Sequence, residues 1–269
     1  MRFIESRNNP TIKNMTALRD RREREDKRLF YFEGVHLLEE YVRSGKRPFS
    51  LFVREDVTER YAEIIEKANC EVYKVTSSVY DKLSEEKAPQ GIFTVSEFLD
   101  NVYFVGDGIG YDEFAERIKG NAIALVDLRD NGNVGTIIRT AAALDCDILL
   151  CGSCADIFAS KTVRATMGAV FTNDIYVCAD TLSAIQALQK SKSRVIASAL
   201  NEKASVLGEF KIENNDCFLI GNEGQGLSGD VINACDMTCI IPMSGKTESL
   251  NAASAASVLL WEAKRGRLK

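Results

Sequence analysis

The stretch IPMSGKTESLNAASAASVLLWE, residues 241–262, decides how the C-terminal half of this chain folds. A turn-like SGKTE leads into a helix in which only alanine and serine fill positions 252–257, and the first bulky side chain of that run is Val258. Because protein interiors are closely packed, side chains this small predict that another segment of backbone, or a ligand, lies very near the helix.

Outward from this stretch, residues 121–269 alternate apolar strands with helical segments. We predict strands at 122–128, 147–151, 174–178, 194–200, 216–224 and 237–243, with helices between them and a last helix starting near Ser249. Near-continuous apolar strands separated by helices are typical of a parallel sheet with helices on both faces. In such sheets, ligands gather at the carboxyl ends of the strands.

The N-terminal part of the chain repeats the alternation on a smaller scale. Residues 1–98 predict a small α/β domain, with strands such as 29–34, 49–55 and 91–98. Residues 99–120 are less regular and glycine-containing, so we assign them to a linker. The predicted organisation is therefore a small domain at 1–98, a linker at 99–120 and a larger domain at 121–269.

Composition is that of a soluble enzyme. The 269 residues are 45% hydrophobic and 27% charged, with no apolar run that could span a bilayer and no apolar core near the N-terminus. We predict a cytoplasmic location, in which the eight irregularly spaced cysteines are free thiols. The CxxC at 151–154 lacks a second pair or a nearby histidine, so no metal site is predicted.

The charge distribution leaves a nucleic-acid partner open. The net charge of -5 argues weakly against one, whereas residues 19–28 gather six basic side chains that suit phosphate contact. The alternative is a solvated helix in which these are interleaved with Glu23, Glu25 and Asp26. Charge alone favours the solvated helix.

Polar loops that follow the predicted strands of 121–269 carry the candidate chemistry. They hold Asn133, Arg139, Glu223, Ser249 and Asn251. Each also has a purely structural interpretation, such as helix capping by Asn133 or Ser249 or a glycine turn around Glu223. Together, at the ends of parallel strands, they indicate a site. The chain offers no Ser-His-Asp set, no Cys–His pair, no Walker sequence and no dinucleotide fingerprint.

Three ordered segments resemble a known family. NVGTIIRTA (133–141), LIGNEGQGLS (219–228) and the opening stretch are similar to the three motifs of the SpoU branch of the SPOUT RNA ribose 2'-O-methyltransferases. SKTVRATMGAVF (160–171) resembles an intermediate segment of that family. FEGVHLLEE (32–40) and APQGIF (88–93) resemble its substrate-binding domain, so the likeness spans nearly the whole chain. This chain departs from the family at 131–133 (Asn-Gly-Asn for Pro-Gly-Asn) and at 144–145 (Leu-Asp for Phe-Gly).

The resemblance implies methyl transfer from S-adenosylmethionine to a ribose 2'-hydroxyl of structured RNA, without a metal. It also implies a C-terminal SPOUT domain with a deep trefoil knot, a homodimer, and an N-terminal domain that binds RNA. The type of N-terminal domain favours ribosomal RNA. The alternatives are a transfer RNA 2'-O-methyltransferase and a non-catalytic RNA-binding protein. A nicotinamide-dependent oxidoreductase would need a glycine fingerprint that the first loop lacks.

The resemblance also assigns residues. Asn133 and Arg139 belong to the first motif, Glu223 to the second, and Ser249 and Asn251 to the third, all as catalytic residues. Contacts to the methyl donor are implied for Leu200, Gly221, Ile241, Met243 and Leu250, largely through backbone atoms. Family accounts make Arg139 an activator of the hydroxyl. Because a guanidinium is a poor base, binding of a phosphate and stabilisation of negative charge on oxygen stay open as its role.

Overall fold

The computed structural model describes residues 1–200, 204–246 and 249–265. The strands, numbered along the chain, are β1 (Arg2–Ile4), β2 (Leu29–Glu33), β3 (Ser50–Arg54), β4 (Glu71–Val75), β5 (Ile92–Glu97), β6 (Val102–Val105), β7 (Ala122–Val126), β8 (Asp147–Cys151), β9 (Ile175–Cys178), β10 (Arg194–Ser198), β11 (Ser205–Val206), β12 (Asp216–Ile220) and β13 (Met237–Ile240). The α-helices are α1 (Pro10–Ala17), α2 (Arg21–Lys27), α3 (Val35–Arg43), α4 (Ala62–Ala68), α5 (Ser77–Leu83), α6 (Tyr111–Arg117), α7 (Asn131–Ala143), α8 (Ser160–Ala165), α9 (Thr181–Lys190), α10 (Gly229–Ala234) and α11 (Ala252–Lys264).

The chain forms two units, each with its own sheet. The first unit comprises residues 1–99 and 156–172, and the second comprises residues 100–155 and 173–269. The sheet of the first unit has the order β1-β4-β3-β5-β2, in which β5 runs antiparallel to both β3 and β2. The second sheet, over the described residues, has the order β11-β13-β10-β12-β7-β8-β9-β6. Every strand pair in it is parallel, which confirms the predicted parallel sheet.

A segment from the middle of the chain completes the core of the first unit. Along β2, Tyr31 belongs to the core formed with α1 and α5, so Phe30 and Phe32 point to the opposite face. There the Phe30 ring lies 5.0 Å from Phe158, and the Phe32 ring lies 5.1 Å from Phe171. The sequence places residues 156–172 in the larger domain, but in the structure they pack with the first unit.

The basic residues of α2 are mostly neutralised within the first unit. Arg21, Arg22 and Lys27 each pair with an acidic residue four positions away on the same helix. Arg24 is only 5% exposed and forms an ion pair with Asp156. The interpretation of this segment as a helix with interleaved charges is therefore confirmed.

In the second unit, the segment 99–120 contributes structure where the sequence predicts a linker. Strand β6 pairs in parallel with β9 at the edge of the sheet, and helix α6 packs against α9. Phe114 and Ala115 of α6 are buried in the same core cluster as Tyr176 of β9 and Leu188 of α9. Residues 99–120 therefore extend the sheet and its helical cover.

The small-residue helix of the opening stretch packs against α7. Helix α11 contacts both α7 and β12, and its buried face contains Ala252, Ala253 and Ala256 before the larger Leu259 and Leu260. Helix α7 in turn contacts β7 and β8. The predicted close approach of another chain segment to this helix is therefore confirmed.

The thiols have structural roles. All eight cysteines are free. The Cys154 thiol donates hydrogen bonds to the carbonyl oxygens of Leu125 and Cys151, and burial raises its pKa to about 11. Within the described ranges, no group of three potential ligands is arranged to hold a metal ion. No helix in this part of the chain is long and apolar enough to cross a membrane.

Candidate functional site

Residues from all three motif segments meet at the carboxyl ends of the strands in the second unit. Asn251 Nδ2 donates to Asn133 Oδ1 over 3.0 Å, and Asn133 Nδ2 donates to Glu223 Oε1 over 3.2 Å. The backbone N–H of Asp130 donates to the same Glu223 oxygen over 3.3 Å. These contacts form a hydrogen-bonded chain that joins the loop after β7, the loop after β12 and the start of α11.

Helix caps hold two residues of this hydrogen-bonded chain, Asn251 and Asn133, in place. Asn251 is the N-cap of α11, and its Oδ1 accepts from the backbone N–H groups of Ala253 and Ser254. The last helix therefore begins at Ala252, after the predicted start near Ser249. Asp130, not Asn133, caps α7, because its Oδ1 accepts from the Asn133 N–H over 2.7 Å. Capping fixes the orientation of both asparagine backbones.

The loop that carries Glu223 is a tight turn. Asn222 and Gly226 exchange two backbone hydrogen bonds, and Gly226 has a φ of 68°. Gly221 packs directly on the backbone of the turn, because a Cβ there would lie 2.2 Å from the carbonyl carbon of Gly226. Glycine at 221 is thus required by close backbone contact, whatever else it binds.

Two predicted catalytic residues lie outside the hydrogen-bonded chain. Arg139 is on α7 six residues beyond Asn133, which corresponds to about 9 Å along the helix axis. Its side chain is exposed, as is that of Ser249. The structure brings Asn133, Glu223 and Asn251 together. Arg139 and Ser249 lie close to these residues in sequence, but their side chains face solvent.

The predicted contacts to the methyl donor include unusually exposed apolar side chains. Leu200 is 79% exposed, Leu250 is 40% exposed and Met243 is 38% exposed. They lie in the loops after β10 and β13, whereas Gly221 is buried and Ile241 is half-buried. Exposed apolar side chains beside polar loops are a candidate binding surface.

Sequence reasoning missed three residues that build the site. The side chains of Asp130 and Asn222 bond to backbone groups of the loop that carries Asn133. The Asp127 side chain accepts from the Ser153 N–H in the loop after β8, and its own backbone carbonyl receives the bond from Asn222. Their signal was present, since aspartate and asparagine directly after strands or within glycine turns favour local side-chain to backbone hydrogen bonds. The bonds of Asp127 and Asn222, however, reach backbone groups of loops distant in sequence, which local sequence does not reveal.

Comparison with known proteins identifies the family. Residues 120–261 match the model of the SpoU rRNA Methylase family, which is more than half of the chain. The chain belongs to this family. Residues 9–94 of this SpoU family member match the MRM3-like substrate binding domain. The predicted family membership is therefore confirmed.

Named relatives cover nearly the full length of the chain. It is 28% identical to the 23S rRNA (guanosine(2553)-2'-O)-methyltransferase RlmP of Bacillus subtilis (strain 168), over 97% of this chain and 98% of that protein. It is 29% identical to the 23S rRNA (guanosine-2'-O-)-methyltransferase RlmB of Acinetobacter baylyi, over 88% of this chain and 98% of the relative.

Solved structures agree with the sequence relatives. The AdoMet-bound rRNA methyltransferase of Sinorhizobium meliloti superposes with a TM-score of 0.85 and is 28% identical, covering 100% of this chain and 99% of that one. The SpoU methyltransferase AviRb of Streptomyces viridochromogenes, in complex with AdoMet, has a TM-score of 0.82 and 25% identity, covering 97% and 98%.

Proposed function

We propose that this chain transfers a methyl group from S-adenosylmethionine to a ribose 2'-hydroxyl of structured RNA, and that the RNA is ribosomal. The observation that carries the proposal is the hydrogen-bonded chain from Asn251 through Asn133 to Glu223. It joins all three motif segments of a SpoU family member at the edge of the sheet where parallel strands bind ligands. Relatives named as 23S rRNA 2'-O-methyltransferases support ribosomal RNA over transfer RNA.

The residues at this edge fit S-adenosylmethionine. When bound, this donor supplies a sulfonium methyl group that a nucleophilic oxygen can attack. The exposed side chains of Leu200, Met243 and Leu250 would cover its adenosine, and backbone groups near Gly221 and Ile241 would read the adenine edge. The AdoMet-bound structures of the Sinorhizobium and Streptomyces relatives support this assignment. No metal is needed for this transfer.

Glu223 is the group best placed to receive the hydroxyl of the ribose. One carboxylate oxygen is held by Asn133 and by the Asp130 N–H. Among the residues that the structure describes, the other oxygen, Oε2, has a single hydrogen-bond contact, with Asn222 over 3.5 Å. That oxygen can accept a hydrogen bond from the 2'-hydroxyl and orient it. The side-chain Oδ1 of Asn133 accepts from Asn251, which orients the amide so that its Nδ2 faces Glu223 Oε1.

Arg139 would bind the phosphate next to the target ribose and stabilise negative charge as it develops on the attacking oxygen. Its side chain is exposed on α7, which is where a phosphate could reach it. Arginine pairs with phosphate through parallel N–H groups and stays protonated, so this role suits it better than that of a base. Ser249, which is exposed in the third motif loop, would also contact the substrate.

Finer features of the fold follow from the same family assignment. We propose that α7 and α11 cover one face of the second sheet, and that α6, α9 and α10 cover the other. Strand β13 lies outside β10 in the sheet, yet the segment after it ends at Asn251, which touches Asn133 just after β7. A chain that crosses back over β10 and β12 in this way supports the proposed trefoil knot.

The active form would be a homodimer in the cytoplasm. On α11, the side chain of Trp261 is 55% exposed, and that of Val258, one turn before it, is also exposed. An exposed tryptophan in an apolar stripe on a helix marks a candidate protein interface. The first unit would bind the RNA, in keeping with its match to a substrate-binding domain. The eight free cysteines suit a reducing compartment.

The direct test is transfer of a radiolabelled methyl group from S-adenosylmethionine to RNA that lacks modification at the target. Label in a ribosomal RNA fraction, lost in Asn133→Ala and Glu223→Ala but kept in Glu116→Ala, would establish the activity. Glu116 is an exposed carboxylate on α6 and serves as the matched control. Label in a transfer RNA fraction would instead make transfer RNA the substrate. Absence of both label and calorimetric cofactor binding, with RNA still bound, would leave a non-catalytic RNA-binding protein.

The role of Arg139 is tested by the pH dependence of the single-turnover rate in the wild type and in Arg139→Ala. Loss of a charge-stabilising donor predicts a fall on the order of 10²-fold with an unchanged slope. If the rate of the wild type rises with pH over some range and the rate of the mutant does not, Arg139 is the base. A mutant that keeps the slope and most of the rate would have lost no chemical group.

A further inference from the structure

Asn222 ties the turn that carries Glu223 to the central strand of the second sheet. Its Nδ2 donates to the backbone carbonyl of Asp127 over 3.0 Å. Its Oδ1 accepts from the N–H groups of Gly224 at 2.9 Å and Gln225 at 3.2 Å. One side chain therefore both closes the turn and fastens it to the residue that follows β7.

Asp127 is a rigid point of attachment. It has a φ of 53°, the left-handed conformation that residues other than glycine seldom adopt. Its N–H donates to the carbonyl of Cys151 over 3.0 Å, and its Oδ1 accepts from the N–H of Ser153 over 2.7 Å. A Cβ on Gly152 would lie 2.5 Å from that same oxygen, so the carboxylate fills the space above this glycine. Hydrogen bonds and packing therefore fix the backbone of Asp127 from several sides.

Glu223 depends on this attachment for its direction. Its side chain is exposed, so packing does not hold it, and its carboxylate reaches Asn133 and Asp130 across the gap between two loops. The turn is closed by the backbone bonds between Asn222 and Gly226 and by the packing of Gly221 on its backbone, so its internal shape does not depend on Asp127. Without the bond from Asn222 to Asp127, the turn can keep its internal shape and still swing away from α7.

We infer that Asn222 is a positioning residue for methyl transfer: by bonding to the Asp127 carbonyl, it holds the Glu223 carboxylate against Asn133. This inference rests on the proposed function and concerns the same site. It differs from a purely local role, in which Asn222 only closes its own turn. The two roles use different atoms of the amide: Oδ1 closes the turn, whereas Nδ2 bonds to the Asp127 carbonyl and also lies 3.5 Å from Glu223 Oε2. A substitution that keeps an acceptor but removes Nδ2 therefore separates turn closure from the positioning of Glu223.

Asn222→Ser makes this separation. A serine hydroxyl can still accept from the Gly224 N–H, as it does in common turns, but it is too short to reach Asp127 and adds no charge. The matched control is Asn233→Ala, which removes an exposed asparagine from α10 in the same unit. Single-turnover rates are measured at saturating S-adenosylmethionine with unmodified ribosomal RNA and corrected for the folded fraction. Calorimetry measures cofactor affinity alongside.

The expected result is a fall in rate on the order of 10²-fold for Asn222→Ser, since small misplacements of a reacting group have effects of this size. Cofactor affinity and the melting temperature stay near those of the wild type, and Asn233→Ala behaves as wild type. In a Glu223→Gln background, Asn222→Ser should lower the rate by less than about threefold, because residues that act through one another are not additive.

Three results would overturn the inference. They are a rate for Asn222→Ser within about twofold of wild type, a loss explained by the folded fraction, and a full multiplicative loss in the Glu223→Gln background. A readout without catalysis is the side-chain amide NMR signal of Asn133, which should move toward its position in Glu223→Ala. An unmoved signal also refutes the positioning role. If the wild type transfers no methyl group, the proposed function fails, and this NMR signal still decides whether Asn222 positions Glu223.

Discussion

Replacing Gly221 by alanine tests whether close backbone contact, and not only family resemblance, explains this glycine. The added Cβ would lie 2.2 Å from the carbonyl carbon of Gly226, 2.4 Å from the amide nitrogen of Leu227 and 2.5 Å from the carbonyl oxygen of Gly226. Side-chain atoms are essentially never found this close to other atoms. All three neighbours are backbone atoms, so no flexible side chain can move aside to make room.

The cost can be estimated from overpacking in protein cores. Inserted methylenes typically destabilise by about 1–3 kcal/mol, and a clash with backbone atoms belongs at the upper end, about 3 kcal/mol. For a unit of this size, each kcal/mol lowers the melting temperature by about 2–4 °C, which predicts a fall of about 6–12 °C. The turn must shift to relieve the clash, so Glu223 moves and methyl transfer falls as well.

Differential scanning calorimetry of the full chain measures this effect. Gly229→Ala is the matched control, because Gly229 is exposed at the start of α10 and a Cβ there meets nothing within 4 Å. We expect that control to melt at or slightly above the wild-type temperature. If Gly221→Ala melts within about 1 °C of the wild type, the claim that the turn packs rigidly on Gly221 is wrong.

Three further perturbations probe other parts of the structure. Arg24→Ala leaves the Asp156 carboxylate without its buried partner and should lower the free energy of unfolding, measured in urea, by about 3–5 kcal/mol. Arg22→Ala, on the surface of the same helix, should change that free energy by less than about 0.5 kcal/mol. Equal effects of the two substitutions would contradict the burial argument. Burial raises the pKa of Glu33 above its ordinary 4.5, so just above pH 4.5 the folded chain keeps a proton that the unfolded chain has lost. The stability of the wild type relative to Glu33→Gln should therefore decline as the pH rises above 4.5. A stability difference between the two proteins that stays constant from about pH 4 to about pH 7 would argue against this effect. Trp261→Glu should convert the proposed dimer into monomers in sedimentation velocity, and an undiminished dimer would move the interface elsewhere.

The parallel sheet was predictable because its strands carry an unmistakable pattern. All five residues of β7 are buried and apolar, as are the last four of β12, Cys217–Ile220. Short apolar runs of this kind are typical of a parallel strand covered on both faces. Strand β6 was missed because three glycines follow it directly, at positions 106, 108 and 110, and such a run indicates a loop.

Partners in packing were harder to predict than elements. Phe158 and Phe171 are plainly core residues from their sequence, but nothing in an aromatic side chain states which sheet it will cover. Neighbours in sequence suggested the sheet of β8 and β9, and tertiary contact with β2 decided otherwise. Such long-range choices are not written in local periodicity.

The site was predictable in its members more than in its connections. Resemblance named Asn133, Glu223 and Asn251, and the structure joins them by hydrogen bonds. The bonds that orient them come from Asp127 and Asn222, whose importance depends on loops distant in sequence meeting in space. Single residues reveal their chemistry, whereas the supports behind them emerge only when the chain is folded.

Residues 156–172, which pack with the first unit although they lie far from it in sequence, limit how this protein could have been assembled in evolution. A substrate-binding module that ended at residue 99 could be exchanged between enzymes by a single recombination event. In this protein, a chimera that joins residues 1–99 to another enzyme would pack Phe30 and Phe32 against the interior segment of that enzyme. Arg24 would likewise lose Asp156 as its partner. Productive exchange would have to replace the N-terminal half and the interior segment together, so the two units are expected to diverge as one lineage.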